Sequence, residues 1–123
     1  MNIIDVYNEV RQQLLSIGLN VYKEVKPSSE VGNCLVLNSI PLDKNNYESN
    51  VDLILILYLK KKNSEFDGKS ASTMFPQIEG GIHEFTGDTG FVTVTSIKEG
   101  NTINLDDSYT TTEFVFKIII HQK

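Results

Sequence analysis

The segment NVDLILILYLKKK, residues 50–62, constrains the fold more than any other part of the chain. Read as a strand, it places Val51, Leu53, Leu55, Leu57 and Leu59 on one face, with Asp52, Ile54, Ile56, Tyr58 and Lys60 on the other. A strand with one wet face alternates apolar and polar residues. This one is apolar on both faces through its middle. The segment YTTTEFVFKIIIH, residues 109–121, repeats the pattern: Phe114, Phe116, Ile118 and Ile120 share one face, Val115, Lys117 and Ile119 the other. Burying each such side chain is worth roughly 1.5–3 kcal/mol, against a total stability of about 5–15 kcal/mol. The second face therefore needs a cover.

Candidate covers are few. Residues 3–17 read as an amphipathic helix, with Ile3, Tyr7, Val10, Leu14 and Ile17 forming one stripe and Gly18 a natural stop. A second helix is expected in TMFPQIEGGIHEF, residues 73–85, from the spacing of Phe75, Ile78, Ile82 and Phe85. Pro76 would sit in its first turn. Gly80 and Gly81 would lie inside it, at about 1 kcal/mol each relative to alanine, which calls for a compensating close approach. The helices either divide between the two faces or share one and leave the rest to another subunit.

The remaining strands are expected in LNVYKEV (19–25), CLVLNSI (34–40) and GFVTVTSI (90–97). KPSSEVGN, PLDKNNYES and KEGNTINLDDS read as turns, and KKNSEFDGKSAST as a polar crossing segment. Strands and helices do not alternate one for one. The pattern is a single α+β domain over residues 1–123, with two helices and a mainly antiparallel sheet of about five strands, in the order α-β-β-β-α-β-β. Short connections favour antiparallel neighbours among the first three strands and between the last two.

Composition excludes several classes. The net charge of −5 argues against tight nucleic-acid binding, and the cluster Lys60, Lys61 and Lys62 reads as a guarded strand exit. The apolar run over residues 53–59 is too short to span a bilayer, and Asp5 and Glu9 stand where a signal peptide would be apolar. The single cysteine, Cys34, allows no internal disulfide and reads as a buried, inert thiol.

Catalytic and metal motifs fail on spacing. Gly68, Lys69 and Ser70 would need a glycine where Asn63 stands to form a phosphate loop. A calcium loop starting at Asp43 meets Glu48 where glycine belongs and Ile54 where glutamate belongs. His83 has no second histidine at zinc-motif spacing. No cofactor, metal or catalytic set is expected. An enzymatic site would have to form between subunits around His83 with Glu84 or Asp88, and a small ligand- or protein-binding domain is a further alternative.

The whole-chain pattern resembles the tail terminator, or tail completion, proteins of long-tailed bacteriophages. The resemblance lies in the helix IIDVYNEVRQQLLSIG running into LNVYKEV, then CLVLNSI, the long NVDLILILYLKKK, a polar loop, a second helix and two closing strands. It implies a non-enzymatic virion-assembly subunit, located in the virion tail or the cytoplasm of the bacterial host. It implies a homo-oligomeric ring, commonly a hexamer, that caps the tail tube and docks to the head-connector proteins. DNA would pass through without specific binding. The expected interface residues are Ile54, Ile56 and Tyr58 on the long strand, with Tyr47 and Asp106 in the loops.

Overall fold

A computed structural model describes the backbone of residues 3–44 and 48–122. The elements are α1 (Ile3–Leu15), β1 (Asn20–Lys23), β2 (Cys34–Lys44), β3 (Glu48–Lys60), α2 (Gly68–Glu79), β4 (Phe85–Thr86), β5 (Gly90–Asn104) and β6 (Tyr109–Gln122). They make a six-stranded sheet in the order β1-β2-β3-β6-β5-β4. The class is α+β, as the sequence implies.

The register explains the double apolar pattern. β3 and β6 are the two central strands and pair antiparallel, with Leu53 opposite Phe116, Leu55 opposite Phe114 and Val51 opposite Ile118. Residues opposite one another in a ladder share a face. That face forms the core with Leu35 and Leu37 of β2, and both helices lie on it: Val6, Val10 and Leu14 of α1 and Ala71 and Ile78 of α2 join the same buried cluster. Phe75 meets Phe114 edge-on at 5.3 Å between ring centres. The helices therefore share one face.

α1 follows its stripe and ends where Gly18 adopts φ of +96°, a conformation that costs glycine little. α2 differs from the sequence expectation. It starts at Gly68, capped by Asp67, whose carboxylate accepts from the Ser70 amide at 3.1 Å and the Ser70 hydroxyl at 2.7 Å. The polar stretch expected to be a crossing segment is thus its first two turns, with Lys69, Ser72 and Thr73 facing water. Pro76 lies in the interior rather than in the first turn. The helix stops before Gly80, so neither glycine is helical, and Ile82 is buried from the turn beyond.

Three further differences concern the sheet. β1 pairs with β2 in parallel, not antiparallel. A parallel pair needs a connection that leaves the sheet and crosses back, and residues 24–33 supply it. It departs at Glu24, whose φ is +71°. A sixth strand, β4, adds a two-residue pair to the β5 edge. β5 continues to Asn104 through residues expected to be a turn, with register shifts at Val94/Ser96 and Glu99/Thr102. Those bulges break the alternation that marks a strand in sequence.

Gly81 shows the close approach its position demands. A Cβ there would lie 3.0 Å from both the Gln77 carbonyl oxygen and Ile17 Cδ1, whereas one at Gly80 would meet the Pro76 carbonyl oxygen at 3.5 Å. The Gln13 amide group fixes the same turn to α1, accepting from the His83 N–H at 2.7 Å and donating to the His83 carbonyl at 3.3 Å. Gly81→Ala should cost about 1–3 kcal/mol through overpacking, with Gly80→Ala close to neutral; thermal melts of the two variants check this.

Candidate interaction surface

Among the described residues, no helix lies on the second face of the sheet. Register places on it Val36 and Asn38 of β2, Asp52, Ile54, Ile56 and Tyr58 of β3, and Thr111, Glu113, Val115, Lys117 and Ile119 of β6. Thr93, Ser96, Lys98 and Ile103 of β5 continue it. Ile54, Ile56, Tyr58, Val115 and Ile119 are only half-buried, while their neighbours along each strand on the core face are closed off from water. Ile103 is 61% exposed.

One end of this face has a cover from within the chain. The crossing segment 24–33 folds over it, held by Tyr109, whose hydroxyl donates to the Gly32 carbonyl at 3.0 Å and the Glu30 carbonyl at 3.2 Å. Tyr109 in turn meets Tyr58 edge-on at 6.0 Å. Lys26 Nζ stands 5.0 Å from the centre of the Tyr109 ring. Glu30 gathers the segment: its carboxylate accepts from Asn20 Nδ2 at 2.7 Å, the Tyr22 hydroxyl at 3.0 Å and the Gly32 amide at 3.3 Å. The Asn20 hydrogen bond, followed by those from Gly32 and Tyr22, holds the Glu30 carboxyl below its ordinary pKa. Burial, with the Glu30 hydrogen bond second, raises Tyr22.

Cys34 lies at this closed end, fully buried and unpaired in any disulfide. Burial, and then the Glu30 charge, push its thiol up to about 11. Both effects disfavour thiolate, the reactive form.

The expected interface residues fall out as follows. Ile54, Ile56 and Tyr58 share the uncovered face, Tyr58 at the margin of the crossing segment. Tyr47 lies outside the described residues. Asp106 sits in the β5–β6 turn, where its Oδ1 accepts from the Ser108 amide at 2.8 Å and the Tyr109 amide at 2.9 Å. Its observed work is to close that turn. The sequence places Asp52 and Lys117 on second faces of their strands but does not show them as a pair. Lys117 Nζ stands 3.6 Å from Asp52 Oδ1, and Glu113 and Lys98 are exposed beside Val115. The period-two pattern gave their face but not what lies opposite.

Two depressions mark the same face. One, of about 220 Å³, is bordered by Asn50, Asp52, Thr95, Lys117 and Ile119; the other, of about 370 Å³, by Lys98, Asn101, Ile103, Glu113 and Val115. His83 is exposed elsewhere on the surface. Among the described residues, no three His, Cys, Asp or Glu side chains group as metal ligands, and no helix is long and apolar enough to cross a membrane.

No protein-family model matches the chain, and no curated protein matches it. A solved structure whose name describes no activity shares the fold, with a TM-score of 0.71 at 12% identity over 95% of this chain and 94% of its own. At that identity the likeness speaks for the fold alone.

Glu30 should hold Cys34 shut. At pH 8 about a quarter of ordinary thiols are thiolate, against about one in a thousand at a pKa of about 11. A colourimetric disulfide reagent at pH 8 should modify the native protein slowly, and Glu30→Ala should raise the rate at least about tenfold as the segment loosens. The pH dependence has a definite sign. With Glu30 lowered in the folded state, its contribution is fully present above the ordinary carboxylate range and is lost as pH falls through the folded value. Hydrogen exchange at the Val31 and Gly32 amides, corrected for intrinsic pH dependence, should accelerate over that interval.

Proposed function

We propose that this chain is a non-enzymatic assembly subunit of the phage tail-terminator type, one that self-associates into a ring capping a tail tube. The supporting observation is the second face: half-buried isoleucines and valine on the two central strands, with both helices on the other side. A monomer gains nothing by leaving this surface wet, and a neighbouring subunit would bury it. A heterologous contact that closes on itself forms a ring, of which a hexamer is one. The acidic balance suits a lumen through which DNA slides without being gripped. Tail-tube and head-connector proteins would be the further partners, and the virion tail the destination.

The inter-subunit enzyme reading has less behind it. His83 is exposed, and the fold holds its peptide group through Gln13. The two depressions that a small-ligand reading would use belong to the proposed contact face, with charged side chains at their margins.

Ile56→Asp tests the assembly reading against Leu55→Asp. The first should leave a folded chain with native melting behaviour but abolish rings seen by negative-stain electron microscopy of concentrated protein. The second, one residue along and facing the core, should unfold it. A wild-type protein that stays monomeric at millimolar concentration, or an Ile56→Asp variant that still forms rings, would sink the proposal.

A further inference from the structure

We infer that the crossing segment 24–33 is an autoinhibitory flap. Closed, it bars one end of the second face to a neighbouring copy, and it must swing clear before two copies pack there. The inference rests on the reading of that face as a self-association surface and adds what controls it.

For a permanent cover the segment is built inside out. Its two valines, Val25 and Val31, are 71% and 67% exposed. Its polar groups turn instead toward the sheet: the Glu30 carboxylate to Asn20 and Tyr22, and the Glu30 and Gly32 carbonyls to Tyr109. A segment that completes a core turns its apolar side chains inward. The residues it closes off, Cys34, Tyr58 and Tyr109, continue the row of Ile54 and Ile56 on the same face.

The segment also holds together as one piece pinned at few points. Lys26 Nζ donates to the Pro27 carbonyl at 3.2 Å and the Glu30 carbonyl at 2.9 Å, and the Glu30 amide donates to the Pro27 carbonyl at 3.0 Å. Its ends are fixed. The Glu24 amide donates to the Leu37 carbonyl at 3.2 Å, and Asn33 Oδ1 accepts from the Lys60 amide at 2.7 Å. Between those ends, among the described residues, its hydrogen bonds to the sheet come from the side chains of Asn20, Tyr22 and Tyr109. Glu24 holds φ of +71°, a region costly for a residue with a side chain, so rotation at this hinge relieves strain. A unit with few anchors and little buried apolar surface opens more readily than the sheet beneath it.

Closure excludes a neighbour from this end. A sheet packed on another lies about 10 Å above it, in the layer that the segment fills. Opening joins Tyr58, Tyr109 and Cys34 to Ile54, Ile56, Val115 and Ile119 as one surface. Only open chains then associate, and apparent affinity follows the open fraction.

Two substitutions should move the flap in opposite directions. Tyr109→Phe keeps the ring but removes the hydroxyl that holds the Gly32 and Glu30 carbonyls, and should raise the open fraction roughly fivefold. Gly32→Ala adds a Cβ that meets Glu30 Oε2 at an ordinary 3.8 Å, at a residue without positive φ. It should lower the open fraction about threefold by restricting the open segment. Modification of Cys34 by a colourimetric disulfide reagent at pH 8 reads opening, and neither variant changes a charge near the thiol. Sedimentation velocity over a concentration series reads self-association. The two readouts should rise together in Tyr109→Phe and fall together in Gly32→Ala. Ile56→Asp added to Tyr109→Phe should abolish association and leave Cys34 fast. Circular dichroism and thermal melts confirm folding. Modification rates that stay at the wild-type value, or that shift while association does not follow, would overturn the flap and leave the assembly reading intact. Association that survives Ile56→Asp, or protein monomeric in every variant, would end both.

Discussion

The antiparallel pairing of β3 with β6 is the constraint on which the rest of the molecule depends. Thirteen residue pairs run in unbroken register from Glu48 opposite His121 to Lys60 opposite Tyr109. That register sets leucines of one strand beside phenylalanines and isoleucines of the other, on the face where α1 and α2 gather. A slip of β3 by one residue would bring Ile54 and Ile56 under the helices and send Leu55 and Leu57 into water. Because the two strands are apolar on both faces, the loss of alternation is softened, and bulkier side chains decide the matter. Leucines, phenylalanines and isoleucines of the facing strands pack under the two helices; the isoleucine and valine surface on the other side meets neither helix.

The crossing segment between β1 and β2 is the second determinant. A parallel pair obliges the chain to pass over one face, and the helices already occupy the other. Residues 24–33 therefore lie across one end of the second face, seal Cys34, and confine the uncovered area to the middle and the β5 side. Glu30 and Tyr109 do this with hydrogen bonds rather than with apolar bulk. The segment is thus a polar strap, sensitive to the ionisation of a single carboxyl, over an otherwise greasy surface. Assembly through the second face, as proposed, would begin where this strap ends.

Much of the architecture was legible in the chain. The α1 stripe, its glycine stop and the two long double-apolar strands follow from periodicities of 3.6 and 2 that local sequence carries directly. The elements misplaced were those whose signals compete. α2 begins before its apolar spacing does, because Lys69, Ser70, Ser72 and Thr73 look like loop residues although serine and threonine are at home in a capped, solvent-facing first turn. β5 runs on past Ile97, where Lys98, Glu99, Gly100 and Asn101 have turn chemistry, because two bulges absorb the mismatch into a continuous strand. The surface residues Ile54, Ile56 and Tyr58 are visible in the sequence as a face, but the approach of Lys117 to Asp52 is not, because it joins strands far apart in the chain.

The sequence by itself determined that the two long strands are apolar on both faces, since side-chain direction along a strand is a local property of the backbone. Only the tertiary structure decided which face the helices take and that β1 runs parallel to β2, since both depend on contacts between residues far apart in the chain. That choice, made by the packing of leucine against phenylalanine, is what leaves Ile54, Ile56 and Val115 facing outward.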